Sequence, residues 1–232
     1  MEAVIEIKEF NKFFGELQVL KDINMEIEKG KIYGIIGRNG SGKTVLFKSI
    51  CGFFPVEHGS IRVRELHLEE NKKIPENIGM IIETPGFLPN YNGYHNLEFL
   101  YCINHKKNKQ VIYHAMEQVG LDPELKRHVG KYSLGMRQRL GIAQAIMEDP
   151  DILILDEPMN GLDKEGVGDI RELLLKLKAQ GKTILIASHN REDIDILCDH
   201  VWSMDHGVAT KVRKMHCVPN LARQSSKHIG NV

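Results

Sequence analysis

Residues 37–44 read GRNGSGKT, a glycine-rich stretch that ends on a cation and a hydroxyl. Its glycines let the main chain turn with positive φ and approach an anion closely. Successive N–H groups then form a concave nest at the positive end of the helix that follows. Lys43 would add a charge for the β- and γ-phosphates, and Thr44 would offer a hydroxyl to Mg²⁺. The pattern predicts a nucleoside triphosphate site built from Gly37, Arg38, Asn39, Gly40, Ser41, Gly42, Lys43 and Thr44.

Two acids, Asp156 and Glu157, follow the apolar run ILIL. Ligands of open α/β sheets bind at the carboxyl ends of the strands, so these acids are expected beside the phosphate loop. Asp156 would hold Mg²⁺, and Glu157 would orient or deprotonate the water that attacks the γ-phosphate. Adjacent residues of a strand point to opposite faces, which predicts different tasks for the two carboxylates.

Short apolar runs must position these residues. The runs at 31–37, 78–82, 151–158 and 182–188 are rich in Ile, Leu and Val, as buried parallel strands are. Between the last two, residues 167–181 repeat apolar side chains at helical spacing and end on a glycine, which predicts a crossover helix.

The ends of the chain and its middle differ from this core. Residues 3–10 and 23–30 alternate as a pair of half-buried strands would. Residues 86–149 carry helical patterns and no convincing strand. We therefore expect an α/β fold: a P-loop NTPase core with a mainly parallel sheet, an N-terminal antiparallel β portion and an inserted helical subdomain.

The predicted domain organisation is one ATPase domain over residues 1–212. Residues 1–85 and 150–212 would form the catalytic core, and 86–149 would form the helical subdomain. Residues 213–232 read as a mildly basic, poorly ordered tail.

The amino-acid composition limits the kinds of partner that the chain is expected to bind. The 232 residues include 31 basic and 31 acidic side chains, so no net charge attracts nucleic acid or anionic lipid, and no nucleic-acid partner is expected. The first ten residues lack the basic start of a signal peptide, and no run approaches the length of a membrane span. The four cysteines form no C-x-x-C pair, which favours reduced thiols.

From residue 3 to about 212 the chain resembles the ATP-binding subunits of ABC transporters. Their motifs occur here in order: the phosphate loop, a loop after IGMII, the signature at Ser133–Met136, the DEP strand, NGLD at 160–163, and His189 after TILIAS. This resemblance implies ATP and Mg²⁺ as ligands and ATP hydrolysis as the activity.

The same resemblance implies further residue roles. Ser133 and Gly135 would open a helix whose N-terminus grips the γ-phosphate of a nucleotide on a second subunit, in a head-to-tail dimer that encloses two ATP molecules. Asp163 would lie at that interface, and His189 would contact the γ-phosphate as a second catalytic residue. Phe14 would stack on adenine, with Phe13 as a rival for that role.

Two departures from the common motifs narrow the resemblance. The signature, usually L-S-G-G-Q, reads Tyr-Ser-Leu-Gly-Met here, with Leu134 in place of a glycine and Met136 in place of glutamine. Glu83 stands where a glutamine usually contacts Mg²⁺, and a carboxylate also suits this hard cation. Both changes are similar to the ABC subunits of bacitracin-resistance and lantibiotic-immunity exporters.

The resemblance therefore implies an integral membrane permease as partner, a second ATPase subunit, a cytoplasmic position at the inner face of the membrane, and a peptide antibiotic or similar amphiphile as cargo. The alternative is a soluble ABC ATPase that acts on a protein or nucleic-acid partner. The single cassette, the absence of a heptad insert and the zero net charge favour the transporter.

Overall fold

The computed structural model of the chain describes residues 2–70 and 74–214. Its strands are β1 (Ala3–Phe14), β2 (Leu17–Glu28), β3 (Ile32–Ile36), β4 (His58–Val63), β5 (Leu66–His67), β6 (Ile78–Ile81), β7 (Ile152–Asp156), β8 (Thr183–Ala187), β9 (His200–Asp205) and β10 (Val208–Lys214). Its helices are α1 (Lys43–Ile50), α2 (Gly93–Tyr101), α3 (Lys109–Gln118), α4 (Leu134–Ile146), α5 (Lys164–Ala179) and α6 (Arg191–Leu197), with a 3₁₀ turn at Val129–Lys131.

The main sheet has six strands in the order β10-β9-β3-β8-β7-β6. The strands from β9 to β6 are parallel, and β10 pairs with β9 in the antiparallel sense. The carboxyl ends of β3, β7 and β8 therefore meet at one edge, where α1 also begins. This arrangement confirms the expected mainly parallel sheet and brings the phosphate loop next to the acids after β7.

The second sheet has four antiparallel strands in the order β2-β1-β4-β5. Strands β1 and β2 are joined by a two-residue turn in which Gly15 has a φ of +59°. The predicted N-terminal β portion is thus confirmed. Strands β4, β5, β9 and β10 and helix α6 were not predicted from the sequence.

Apolar side chains cover both faces of the main sheet. Along β8, Ile184 and Ile186 face one core, whereas Leu185 and Ala187 face the other. The first core is shared with side chains of α2–α6, and the second with α1 and the four-stranded sheet. Double coverage explains why the central strands read as unbroken apolar runs.

Helices α2, α3 and α4 lie between β6 and β7 in the chain, within the predicted helical segment. Each begins at a polar N-cap whose side chain accepts main-chain hydrogen bonds; for α2 this is Asn92. Among residues 2–70 and 74–214, no helix has both the length and the apolar character that a bilayer crossing requires.

The main sheet continues slightly beyond the predicted end of the domain at residue 212, because β10 reaches Lys214. The rest of the predicted tail, residues 215–232, lies outside the described residues.

Candidate nucleotide-binding site

The phosphate loop joins β3 to α1 through backbone that only glycine fits. A Cβ added to Gly37 would lie 2.3 Å from the carbonyl oxygen of Met204, so no larger residue can occupy this position. Gly42 has a φ of +105° and a Cβ there would meet Leu20 at 2.7 Å. These constraints bring the N-terminus of α1 and its free N–H groups to the mouth of the loop.

Two side chains of the loop fit a phosphate ligand. The buried ammonium of Lys43 donates to the carbonyl oxygens of Gly37, at 2.7 Å, and Arg38, at 3.0 Å, and so is held over the loop. The buried hydroxyl of Ser41 has no hydrogen-bond partner among the described residues. A hydroxyl that has lost water requires a partner, which a phosphate oxygen would supply.

A cavity of about 560 Å³ opens at the loop, between the ends of β3, β6 and β7 and the start of α4. It is lined by Val19, Asn39, Gly40, Gly42, Lys43, Thr44, Val45, Glu83, Thr84, Pro85, Leu134, Arg137, Gln138, Asp156, Glu157 and Asn160. We call it the P-loop cavity. It brings together Lys43 and Thr44 of the phosphate loop, Glu83, and the acids Asp156 and Glu157, from three separate parts of the chain. The other predicted catalytic residue, His189, is not part of its wall.

Thr44 and Asp156 form the predicted metal-binding pair. The Thr44 hydroxyl donates to Oδ2 of Asp156 at 2.7 Å. Burial raises the pKa of Asp156, and the neighbouring Glu157 and Glu83 carboxylates raise it further, against the hydrogen bond from Thr44 and the charge of Lys43. A buried carboxylate and a hydroxyl side by side are hard oxygen donors and fit Mg²⁺.

The side chains of Glu157 and Asp156 do not point in different directions because of strand alternation, as the sequence predicted. The strand ends at Asp156, and Glu157 has a left-handed φ of +51°, so the divergence comes from this residue and not from strand alternation. Its main-chain N–H donates to the carbonyl of Ala187 at 2.9 Å. Its Oε2 lies 2.9 Å from Nδ1 of His189, which follows β8.

His189 is exposed over 73% of its side chain, so it is not a core residue. Its Nδ1 contacts the carboxylate of Glu157, which lines the P-loop cavity. A proton-accepting carboxylate and an imidazole in contact can orient a water molecule between them and a phosphate.

Glu83 lies in the wall of the P-loop cavity with Thr44 and Asp156. Its φ is +62° and its Oε1 accepts from Nζ of Lys48 on α1 at 2.7 Å. The carboxylate is 62% exposed, so it can reach solvent or a ligand. Lys48 was not identified from the sequence, although it compensates the negative charge that replaces a neutral glutamine.

Most of the predicted signature residues line a cavity other than the P-loop cavity. Ser133 is the N-cap of α4, and its Oγ accepts from the N–H of Met136 at 3.1 Å. Ser133, Gly135, Met136 and Asp163 line a second cavity of about 500 Å³, which we call the signature cavity. Leu134 alone among the signature residues lines the P-loop cavity.

Asp163 is the N-cap of α5, and its Oδ1 accepts from the N–H of Gly166 at 2.9 Å. Its position beside Ser133 and Gly135 puts two helix N-termini at one surface. Both helices direct their positive ends there, which suits an anion brought by another molecule.

The structure does not bring Phe14 into the wall of the P-loop cavity. Its ring is 44% exposed at the end of β1 and packs edge-on against Phe54, with centroids 5.2 Å apart. Phe13 packs edge-on against His58 at 5.6 Å. The assignment of either ring to adenine stacking stays a prediction.

Four polar residues of the cavity wall were not singled out individually by sequence reasoning: Thr84, Arg137, Gln138 and Asn160. Gln138 donates from Nε2 to the carbonyl oxygen of Glu157 at 3.3 Å. The N–H of Asn160 donates to the same carbonyl at 3.1 Å. The sequence carried one signal for three of them: Arg137 and Gln138 lie one helical turn after Leu134, and Asn160 is the first residue of the NGLD segment.

Comparison with known proteins gives one consistent result. Residues 20–160 match the family model described as ABC transporter. Over 210 residues the chain is 44% identical to the bacitracin transport ATP-binding protein BcrA of Enterococcus faecalis, covering 89% of this chain and 68% of that protein. It is 37% identical over 206 residues to the lantibiotic transport ATP-binding protein SrtF of Streptococcus pyogenes, with 88% of each chain covered.

Among solved structures, the chain is similar to the dimeric structure of a bacterial ABC transporter cassette. The TM-score is 0.83 at 21% identity, covering 92% of this chain and all of that one. At this identity the likeness establishes the fold.

Proposed function

We propose that this chain, which belongs to the ABC transporter family and is an ATP-binding and ATP-hydrolysing subunit of that kind, powers a separate membrane permease that exports a peptide antibiotic or similar amphiphile. The observation that carries the ATPase chemistry is the P-loop cavity, which is lined by the Thr44–Asp156 pair and by Glu157, whose carboxylate also contacts His189.

The residues divide the reaction among them. The N–H groups at the start of α1 (Lys43 and Thr44), those of the loop glycines, and the Lys43 ammonium would bind the β- and γ-phosphates of ATP. Thr44, Asp156 and Glu83 would hold Mg²⁺, which when bound neutralises charge on the phosphate oxygens. The Glu157 carboxylate would accept a proton from the attacking water, and His189 would position that water against the γ-phosphate.

A second copy of the chain would complete the site. The signature cavity is lined by Ser133, Gly135 and Asp163 and lies apart from the P-loop cavity, so these residues are available to a nucleotide held by another subunit. The positive ends of α4 and α5 at this surface support a head-to-tail dimer that encloses two ATP molecules.

The permease is inferred from the kind of relative and from the surface after Glu83. Leu88, Tyr91, Phe99 and Ile103 are exposed by 43–73% although they are apolar or aromatic. Tyr91 and Phe99 pack edge-on with centroids 5.0 Å apart. We infer that this surface receives a cytoplasmic helix of the permease, which would place the subunit at the inner face of the membrane.

The cargo is inferred from two relatives whose names refer to bacitracin and lantibiotic transport. Glu83 and the Ser-Leu-Gly-Met signature, the two departures that suggested this group, both line the described cavities. An amphiphilic peptide is a cargo that ATP-driven movement of a permease could remove from the membrane.

The test is a susceptibility assay. A bacterium sensitive to bacitracin or a lantibiotic would express the chain together with the proteins encoded by its neighbouring genes, one of which we expect to be a polytopic membrane protein. We expect the inhibitory concentration to rise with the wild-type chain and to stay at the vector level with Glu157→Gln. An unchanged inhibitory concentration for several peptide antibiotics, with a non-membrane protein or nucleic acid copurifying with the chain, would favour the soluble ATPase instead.

A further inference from the structure

The start of α4 and the segment that precedes α5 are packed against each other at their backbones. A Cβ added to Gly161 would lie 2.4 Å from Cγ of Leu134. A Cβ added to Gly135 would lie 2.9 Å from the carbonyl oxygen of Gly161. Real Cβ atoms essentially never approach other atoms below 3.0 Å, so a side chain at position 135 would collide with main chain. A side chain at position 161, where φ is +76°, would be strained and would also have to displace Leu134.

The side chain of Leu134 fills the space next to Cα of Gly161, where a Cβ would otherwise lie. It is the first residue of α4, directly after the N-cap Ser133. ABC signatures usually carry a glycine at this position, and a glycine would leave the first turn of the helix free to move. The leucine restricts the main chain and adds an apolar contact between two segments that both lie at the signature cavity.

We propose that Leu134 is a positioning residue: by packing on Gly161 it holds Ser133, Gly135 and Asp163 as one preformed surface for a second copy of this chain. The inference rests on the dimer of the proposed function and adds the device that fixes its binding surface. A surface that is already ordered loses less conformational entropy on association than a flexible one.

The catalytic carboxylate is anchored to the same two segments. The main-chain oxygen of Glu157 accepts hydrogen bonds from Gln138, one turn into α4, and from the N–H of Asn160, next to Gly161. Any shift of α4 against the 160–163 segment therefore moves a partner of Glu157. The Leu134–Gly161 contact resists that shift, so the surface for the second copy and the position of Glu157 are fixed together.

Leu134 is still 60% exposed in the single chain. An apolar side chain this exposed at a surface with two helix N-termini would be covered when a second subunit approaches. Its contact with Gly161 leaves the leucine in one place before that approach, which is what a preformed surface requires.

The test measures ATP-dependent dimerisation of the full chain in a Glu157→Gln background, where ATP is retained. Analytical ultracentrifugation gives the protein concentration at half-dimerisation. We expect Leu134→Gly to raise that concentration about tenfold, because the flexible glycine must be ordered twice in a symmetrical dimer. Leu134→Met, which conserves volume, should stay within about twofold of the parent.

Three controls separate positioning from folding. Leu175→Ala removes a leucine that is 38% exposed on α5 and should leave dimerisation unchanged. Because Leu134 also lines the P-loop cavity, binding of a fluorescent ATP analogue to each monomer is measured, and dimerisation is compared at ATP concentrations that saturate every variant. Thermal unfolding should show that every variant is folded at the temperature of the dimerisation assay.

The contact itself is tested by a double-mutant cycle. Gly161→Ala should weaken dimerisation strongly in the presence of Leu134 and less in the Leu134→Gly chain, where the side chain it meets is gone. If the effects of the two substitutions on dimerisation were independent and additive, the Leu134–Gly161 contact would not be the cause of the weaker dimerisation.

The outcomes distinguish this inference from the function on which it rests. A Glu157→Gln chain that stays monomeric with ATP would contradict the proposed dimer. A Glu157→Gln chain that dimerises equally well with Leu134 or with glycine would leave the dimer standing and overturn the role of Leu134.

Discussion

Nδ1 of His189 lies 2.9 Å from Oε2 of Glu157, although the two residues are 32 positions apart in the chain. They meet because β7 and β8 are parallel neighbours whose carboxyl ends reach the same edge of the sheet. The left-handed turn at Glu157 directs its carboxylate along that edge towards the histidine. The sheet topology thus brings the imidazole of His189 into contact with Glu157, which lines the P-loop cavity.

Replacing Glu157 by Gln should abolish ATP turnover and preserve ATP binding. The amide keeps the size of the side chain but cannot accept the proton of the attacking water, a loss of roughly 10²–10⁴-fold in rate. Phosphate release by the purified chain measures the effect. Glu172→Gln, which alters an exposed acid on α5, is the matched control and should hydrolyse ATP normally. Normal turnover by Glu157→Gln would refute its assignment as the base.

Replacing Lys43 by Ala should remove ATP binding. The ammonium already bridges the carbonyls of Gly37 and Arg38, so its loss takes away both a phosphate contact and an anchor of the loop. Hydrogen bonds to charged groups contribute about 1.5–3 kcal/mol each, which corresponds to a loss of at least about tenfold in affinity. Equilibrium binding of a fluorescent ATP analogue is the measurement. Lys176→Ala on the exposed face of α5 should bind as the wild type does, and equal affinity for Lys43→Ala would contradict the phosphate cradle.

Asp156 should make stability depend on pH in the absence of Mg²⁺. Its pKa is raised in the folded chain. Between the unfolded and the folded pKa, the folded state therefore keeps a proton that the unfolded state has released, and stability is lost as pH rises through that interval. Asp156→Asn removes this cost and should melt at a higher temperature than the wild type at pH 7. The difference should shrink as pH falls towards the ordinary aspartate range.

Thermal unfolding of both proteins between pH 7 and pH 4 gives the comparison. Glu172→Gln, which changes an exposed acid, should follow the wild type across the range. A stabilisation by Asp156→Asn that stayed constant with pH would show that the carboxylate is not the cause. The same substitution should reduce Mg²⁺-dependent hydrolysis, since a neutral amide replaces the carboxylate that we propose as a metal ligand.

Glu83→Gln should raise the Mg²⁺ concentration needed for half-maximal ATPase activity by several-fold. The carboxylate attracts the cation more strongly than a neutral amide does, and it lies in the cavity wall with Thr44 and Asp156. A magnesium titration at saturating ATP measures the shift. Glu165→Gln, an exposed acid at the start of α5, is the control. An unchanged titration for Glu83→Gln would remove Glu83 from the metal site.

The sequence sufficed for those parts of the fold that local patterns encode. Long Ile/Leu/Val runs predicted β3, β6, β7 and β8, because double burial leaves no polar alternation. Strand β4 reads HGSIRV and β9 reads HVWSMD, and such mixed segments become strands only through pairing with β1 and β3, which lie far away in the chain. Local propensity could not reveal that pairing.

The features of the candidate site also divide into those that a local sequence motif encodes and those that it does not. The phosphate loop is a contiguous motif, so its geometry could be predicted from spacing alone. The contact between Leu134 and Gly161, the ion pair of Glu83 with Lys48 and the left-handed φ of Glu157 join or bend segments in ways that no single motif specifies. These features required the structure.

Replacing Arg171 by Met should destabilise the chain by roughly 3–5 kcal/mol, the usual cost of leaving a buried charge without its partner. Arg171 on α5 donates from Nε to Oδ1 of Asp193 at 2.8 Å, and the Asp193 side chain is only 2% exposed. The Arg171–Asp193 pair lies close to the start of the segment that carries His189. Oδ2 of Asp193 is 3.5 Å from Oγ of Ser188, the residue directly before His189.

Thermal or urea unfolding measures the loss, with Lys176→Met as the control, since its ion pair with Glu172 is exposed by about two thirds on each side and contributes at most about 1 kcal/mol. Adding Asp193→Asn to Arg171→Met should recover part of the loss, because the unpaired buried charge is then removed. If the two single substitutions destabilised the chain independently and their effects added, the ion pair would not be the source of the stability.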